Sequence, residues 1–401
     1  MFFYQQLEND LYRIGVNDRR TARFENMFPM PDGVSYNSYL IKDEKKVLFD
    51  TVDWSVCRQL VDNLKYVLNG RSLDYIVVNH VEPDHAASIG EILMIYPNAT
   101  VISTEKGFFF LNQYGYHIEN KIEVKTGDTF SSGSHNFAFV EIPMVHWPEP
   151  MVTLDTTSGV LFSADAFGSF KALDGKLFAD EVDFDRNWLD EARRYYTNIV
   201  GKYGVHVQAV LKKAATLPIK VICPLHGPVW RENLGYILDK YDKWSSYTPE
   251  STSLMICYAS MYGHTEEAAQ MLASEVVKLG VKDVVVYDVS TTHVSYLISE
   301  AFRCSHIALA SVTYNLGIYP VMKDFIADMQ ALNLQKRTFA LIENGTWAPS
   351  SGAKMREMID EMREMYYVDS EATIVSEVTD STRKELVEVA KSLVESMKKR
   401  G

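Results

Sequence analysis

Only four cysteines occur in 401 residues, Cys57, Cys223, Cys257 and Cys304, and no two of them stand as Cys-x-x-Cys. That excludes a four-cysteine iron site, a zinc ribbon and a dithiol pair, and disulfides are not expected from such scattered thiols. Positive charge is also short. Forty Lys and Arg face 53 Asp and Glu, for a net charge of -13, so no nucleic-acid partner is expected, since that binding needs clustered basic residues. No apolar run reaches membrane-spanning length. The opening Met1-Phe2-Phe3-Tyr4-Gln5-Gln6-Leu7-Glu8 lacks a basic segment followed by an apolar one, so no secretory signal is expected and the cytoplasm is the expected compartment. Also missing are a Gly-x-Gly-x-x-Gly fingerprint and a Walker lysine, which argues against dinucleotides and nucleoside triphosphates.

What is present is a large apolar fraction, 47% of residues, enough for two cores. The chain divides by rhythm. Up to about residue 249 it reads as two runs of strands mixed with helices, a layered α/β sandwich. A helical tract is expected over Asp185 to Lys202. Polar Ser245 to Ser253 reads as a linker. From 250 to 401 strands and helices alternate regularly. Strands are expected at 254–258, 283–288, 306–310, 337–342 and 372–375, with helices beginning near Thr265, Val294, Tyr319, Ser350 and Asp380. Five such units describe a doubly wound parallel sheet.

The densest chemical signal is Asn79-His80-Val81-Glu82-Pro83-Asp84-His85, directly after the strand-like Leu73–Val78. Four metal-competent side chains fall within six residues there, and mixed imidazole and carboxylate donors favour iron, manganese or zinc over thiol-loving ions. His146, Asp165 and His226 each follow or flank a later strand. Taken singly, each reads more readily as a hydrogen-bonded core residue than as a ligand.

In the second half, Ser260-Met261-Tyr262-Gly263-His264-Thr265 joins a strand to a helix. Hydroxyls and free backbone N–H groups at a helix N-terminus form an anion site, so Ser260 and Thr265 suit a phosphate monoester and Gly263 permits close backbone approach. Two more strand ends, Ser311-Val312-Thr313-Tyr314-Asn315-Leu316-Gly317 and Glu343-Asn344-Gly345-Thr346-Trp347, should converge on the same pocket.

With these motifs in view, residues 1–249 resemble the metallo-β-lactamase superfamily, with its αββα sandwich and His-x-His-x-Asp-His loop. Glu82 replaces the second histidine of that loop. Residues 250–401 resemble flavodoxin, with a five-stranded parallel sheet. Together they resemble the flavodiiron proteins of the minimal class, with no fused rubredoxin. The resemblance implies one iron on His80, Glu82 and His146, a second on Asp84, His85 and His226, and Asp165 as bridge. In some members the histidine matching His85 swings away and water replaces it. The resemblance also implies FMN in the three loops, with Tyr314 or Trp347 stacked on its ring. His264 stands where relatives more often have a small polar residue, and Tyr195 matches a tyrosine that reaches toward substrate. The implied reaction is reduction of dioxygen to water, of nitric oxide to nitrous oxide, or of both. Electrons would come from an external donor such as rubredoxin or a flavin- or NADH-linked reductase, in a head-to-tail homodimer or a tetramer. The alternative is a zinc hydrolase fused to a flavodoxin-type electron carrier. Glu82 speaks against it, because an anionic, harder donor suits iron cycling between oxidation states.

Overall fold

Tyr39–Lys42 and Lys46–Phe49 pair as an antiparallel hairpin around Asp43, Glu44 and Lys45. The chain then crosses through the helix Cys57–Leu68 and returns as Tyr75–Val77, parallel to Lys46–Phe49. The crossover helix buries Leu60, Leu64, Val67 and Leu68, a helical i, i+4, i+7, i+8 stripe, each worth about 1.5–3 kcal/mol of transfer free energy. It stops at Asn69, whose left-handed φ of 49° lets its N–H close on Lys65 O. The coordinates, a computed structural model, describe residues 2–8 and 10–400.

By contact the chain separates into two units: the residues up to Tyr196 together with Val205–Tyr241, and Thr197–Gly204 together with Asp242 onward. In the first unit a seven-stranded sheet runs in the order Gln5–Gln6, Leu11–Arg13, Tyr39–Lys42, Lys46–Phe49, Tyr75–Val77, Thr100–Ser103, Lys121–Glu123. A five-stranded sheet faces it: Thr129–Ser131, Asn136–Glu141, Met151–Asp155, Val160–Phe162, Val221–Cys223. One core joins the inner faces, with Tyr39, Val47, Phe49, Val77 and Ile102 from the first sheet against Phe137, Phe139, Met151 and Phe162 from the second. Phe49 and Phe162 stack at 3.8 Å. This is the expected sandwich. All four cysteines are buried and unpaired.

In the second unit the parallel strands lie in the order Val284–Asp288, Ser251–Ala259, Cys304–Tyr314, Thr338–Asn344, Ala372–Ile374. Numbered along the chain this is 2-1-3-4-5, the flavodoxin-like doubly wound order, whose switch point lies between the first and third strands. Short strands at Gly317–Ile318 and Tyr366–Tyr367 are added to it. The helices start at His264, Val294, Pro320, Ser351 and Asp380.

Two expectations need correction. The stretch Ser245 to Ser253 is not a free linker. Ser245 ends the helix Leu234–Ser245, Ser251 opens a strand, and Tyr247 is buried and takes a 2.9 Å bond from Asn333 Nδ2. Its serines and threonines masked a buried aromatic anchor. The helix expected over Asp185 to Lys202 is broken into Phe184–Asn187, Leu189–Tyr195, a π-turn at Tyr196–Val200 and a 3-10 turn at Gly201–Tyr203 before Gly204–Ala214. Gly201 and Gly204 lower helix propensity here, and wide turns of this kind interrupt helices at functional places. No described helix is long and apolar enough to cross a membrane.

Candidate dimetal centre and flavin cavity

The metal loop leaves the strand Tyr75–Val77 and turns at Asn79. Asp50, which ends the neighbouring strand with φ 54°, fixes that turn by accepting from Asn79 N (2.7 Å), Asn79 Nδ2 (2.8 Å) and His80 N (3.1 Å). Burial pushes the Asp50 carboxyl up to about 6 against these bonds. Pro83 then starts a single helical turn, Pro83–Ala86, which brings Asp84 and His85 inward.

All seven expected ligand residues meet, and they do so as two groups. Near one locus Glu82 Oε2 lies 3.1 Å from His80 Nε2 and 3.0 Å from His146 Nε2, while Asp165 Oδ2 lies 3.4 and 3.2 Å from the same two nitrogens. Near the other, Asp84 Oδ2 lies 3.1 Å from His85 Nε2 and 3.2 Å from His226 Nε2. Asp165 Oδ1 reaches 3.1 Å from His85 Nε2 and 3.6 Å from His226 Nε2. One carboxylate therefore turns one oxygen to each group. His85 is directed into the second group rather than away from it.

The fit to cations can be tested on the polar atoms themselves. Both Asp84 oxygens, Asp165 Oδ1, His85 Nε2 and His226 Nε2 are buried without a hydrogen-bond partner, although Asp84 Oδ2 and Asp165 Oδ1 each lie 3.1–3.6 Å from the two histidine nitrogens. Buried polar groups are otherwise paired, and lone pairs that converge without donating to each other suit a shared cation. The outer nitrogens fix the tautomers. His226 Nδ1 lies 2.7 Å from the Ser35 carbonyl, which can only accept, so Nδ1 carries the proton and Nε2 presents a lone pair. His80 Nδ1 likewise donates to Glu149 Oε1 at 2.7 Å.

The electrostatics agree. Burial opposes charge on His80, His85 and His146, yet the surrounding carboxylates outweigh it and hold His85 at about 10, His146 at about 9 and His80 well above its ordinary value. Against burial, the His85 charge and the neighbouring imidazoles hold Asp84 and Asp165 well below the usual carboxylate range. The pocket demands positive charge, and metal ions meet that demand.

The backbone is strained where ligands are delivered. Met144, Ala164 and Phe167 have φ of 66°, 50° and 69°. Gly168 sits in tight quarters, where a Cβ would stand 3.0 Å from the Tyr195 ring and from Asp165 O and would press on both. Tyr195 is fully buried, 5.4 Å from the His226 ring, and its hydroxyl has no hydrogen-bond partner. The reading of the sequence assigned no role to Asp50, Ser35, Glu149 or Glu25. Glu149 follows His146 by three residues and could have been suspected. Glu25 sits at a hairpin tip with φ 50°. The residue as a whole is exposed, yet desolvation and the Glu82 charge push its carboxyl up to about 8. Nothing in the sequence marks it.

In the second unit the three expected loops line one cavity of about 820 Å³ at the C-terminal ends of the strands. Ser260, Met261, Tyr262, His264 and Thr265 line it from the first loop, Thr313, Tyr314, Asn315 and Leu316 from the second, and Asn344, Gly345, Thr346 and Trp347 from the third. Val312 of the second loop lines it too, and Ala348 and Ser376 join unforeseen. Gly263, Ser311, Gly317 and Glu343 do not line it. Gly263 has φ 95° and its N–H donates to Ser260 Oγ at 3.0 Å, shaping the turn. Ser311 Oγ bonds back to the Val312 carbonyl, and Glu343 accepts from Gly352 N. The 15-residue helix His264–Lys278 has no side-chain cap, so its first N–H groups stay free beside the Ser260 and Thr265 hydroxyls. That donor set fits a phosphate, and the size of the cavity fits a flavin ring system.

A family model described as "ODP family beta lactamase" matches residues 34–227. An anaerobic nitric oxide reductase flavorubredoxin of Vibrio vulnificus is 33% identical over 352 residues, covering 85% of this chain and 70% of its own. Among solved structures, a rubredoxin oxygen:oxidoreductase from Desulfovibrio gigas superposes with a TM-score of 0.92 at 25% identity over 99% of both chains. The flavodiiron protein of Giardia intestinalis does so with 0.89 at 23% identity, over 100% of this chain and 98% of its own, a likeness of fold. With sandwich, flavodoxin-like sheet and full-length likeness agreeing, the chain belongs to the flavodiiron proteins.

Proposed function

We propose that this oxidoreductase reduces dioxygen to water, nitric oxide to nitrous oxide, or both, at a diiron centre, fed through FMN by an external donor. Flavodiiron proteins carry FMN and a diiron centre, and both loci of this chain fit those groups. The observation that carries the reading is Asp165, whose two oxygens face two different ligand groups. His80, Glu82 and His146 would hold one iron, Asp84, His85 and His226 the other, with Asp165 between them. When bound, two iron ions would supply the reducing chemistry for such a diatomic substrate, and FMN would supply the electrons that restore them. The chain's own part is to bind, orient and exclude. Glu149 and Ser35 aim His80 and His226 by fixing their protons on Nδ1. Phe24, Tyr36 and Tyr195 pack their rings against His226 and keep that side of the site apolar, which suits a small uncharged substrate. Burial and the charge of Asp165 hold the Tyr195 phenol neutral, so it can donate a hydrogen bond to a substrate oxygen.

The rim of the flavin cavity exposes Tyr262, Leu316 and Trp347 at 88%, 63% and 87%. Apolar surface of this kind suits a face covered by another molecule, which supports a head-to-tail homodimer in which the flavin of one subunit serves the irons of the other. The deciding experiment quantifies iron, zinc and FMN in purified protein, then compares consumption of dioxygen and nitric oxide under one reductant. Two irons and one FMN per chain with consumption of at least one of the gases is the expected result. Zinc without iron, or no consumption of either gas, would overturn the proposal in favour of a hydrolase.

A further inference from the structure

The ligand His226 lies in the loop Pro224-Leu225-His226-Gly227, and that loop is held by residues 35–39. Asn37 N donates to Leu225 O at 2.7 Å, and Tyr39 Oη donates to Pro224 O at 2.7 Å. The side chain of Asn37 spans the loop, with Nδ2 donating to Pro224 O and to Gly227 O, both at 2.9 Å. These carbonyls flank Leu225-His226 on either side. Asn37 can hold both only if its amide faces one way round.

What sets that direction is Arg13. Its Nε donates to Asn37 Oδ1 at 2.7 Å and its Nη2 to Asn17 Oδ1 at 3.3 Å, while Nη1 has no partner. Arg13 is fully buried, and among the described residues no carboxylate pairs with it. Burial lowers its guanidinium to about 10. An unpaired buried cation is costly, and a chain keeps one only where it serves a purpose. An arginine has no acceptor. Were the amide turned over, Nδ2 would meet the guanidinium donor and Oδ1 would meet two carbonyl oxygens. Arg13 forbids that arrangement.

We propose that Arg13 and Asn37 are positioning residues for the second metal ion: Arg13 fixes the sense of the Asn37 amide, and Asn37 clamps the two carbonyls that keep His226 aimed at Asp84 and Asp165. The proposal rests on the dimetal reading. Neither side chain hydrogen-bonds to a ligand side chain; both act through the backbone that carries His226, and on one of the two ions only, because His80, Glu82 and His146 lie outside this loop.

The test titrates cobalt(II) into anaerobic apo-protein and follows the visible bands, with thermal unfolding of the same apo-proteins as a control. His226→Gln identifies the equivalent that belongs to the second group. Arg13→Met and Asn37→Ser are each expected to weaken that equivalent about 10- to 100-fold, as outer-sphere changes at metal sites do, and to leave the other unchanged. Arg13→Lys keeps a donor for Oδ1 and should bind close to wild type. If Arg13→Met does not fold, Asn37→Ser carries the test, since it removes the clamp and keeps a small polar residue. Equal weakening of both equivalents, or wild-type binding of both in Asn37→Ser, overturns the inference. Wild-type protein that takes fewer than two equivalents overturns the dimetal reading itself.

Discussion

Glu82 is the side chain on which the choice of metal turns. Its carboxylate is held ionised by His146 and His80 against burial, so it brings a full negative charge to the first group. Glu82→His removes that charge and restores a neutral donor that suits zinc. Iron retained per chain should fall, zinc should rise, and reductase turnover should be lost. Unchanged turnover would show that the carboxylate does not select the metal. Tyr195 permits a cleaner separation of folding from function. Its hydroxyl is buried with no hydrogen-bond partner, so Tyr195→Phe removes nothing that folding uses and should change apo-protein stability by less than about 1 kcal/mol. Turnover with saturating reductant should still fall severalfold. Equal turnover in the variant would make Tyr195 a packing residue. His80, Glu82, Asp84 and His85 were legible because four such donors within six residues at a strand end are rare, whereas His146, Asp165 and His226 were marked only by the family resemblance. Asp50, Ser35 and Arg13 were not legible, because each acts through a backbone group or amide far off in sequence. Arg13 and Asn37 are 24 residues apart, and Asn37 and Pro224 are 187 apart.

Among elements, the hairpin of Thr129–Ser131 and Asn136–Glu141 is tied to the opposite sheet by charge. His135 Nδ1 donates to Asp155 at 2.6 Å and Nε2 meets Asp10 at 2.9 Å, and Asp10 lies just before a strand of the seven-stranded sheet. Asp43, in the hairpin between Tyr39–Lys42 and Lys46–Phe49, accepts from His135 N and from Ser132 and Ser134. The Asp155 bond, aided by Asp10 and opposed by burial, raises His135 from 6.5 to about 9. A raised folded-state value means that the stabilisation is fully present below 6.5 and fades as pH rises toward 9. Thermal melts of wild type and His135→Gln should therefore differ most at pH 6, by about 1–2 kcal/mol once solvent screening at Asp10 is allowed for, and converge by pH 9.5. A gap independent of pH would refute the ion-pair account. Elements were legible in the second unit because regular alternation of strand and helix leaves little choice of register. They were less so around residues 185–214, where one apolar rhythm conceals a π-turn, and at Tyr247, where polar neighbours conceal an anchor.

At the scale of the whole molecule, the -13 charge and the apolar flavin rim set the terms of association. Leu316→Glu places a charge on the exposed rim, at a residue 63% accessible to solvent. If that rim is the subunit face, sedimentation at micromolar concentration should show the dimer dissociating at least tenfold more readily. An unaltered dimer would move the interface elsewhere. The burial of all four thiols has its own consequence. Burial raises Cys57 and Cys304, the latter to about 11, and holds Cys223 and Cys257 well above their ordinary value. The reactive form of cysteine is the thiolate, and at neutral pH almost none exists here. A catalyst proposed to work among dioxygen and nitric oxide thus offers the nitrosating agents and peroxides that those gases can give rise to no sulfur anion to attack. Its durability under those gases is a property of where four small side chains were put away.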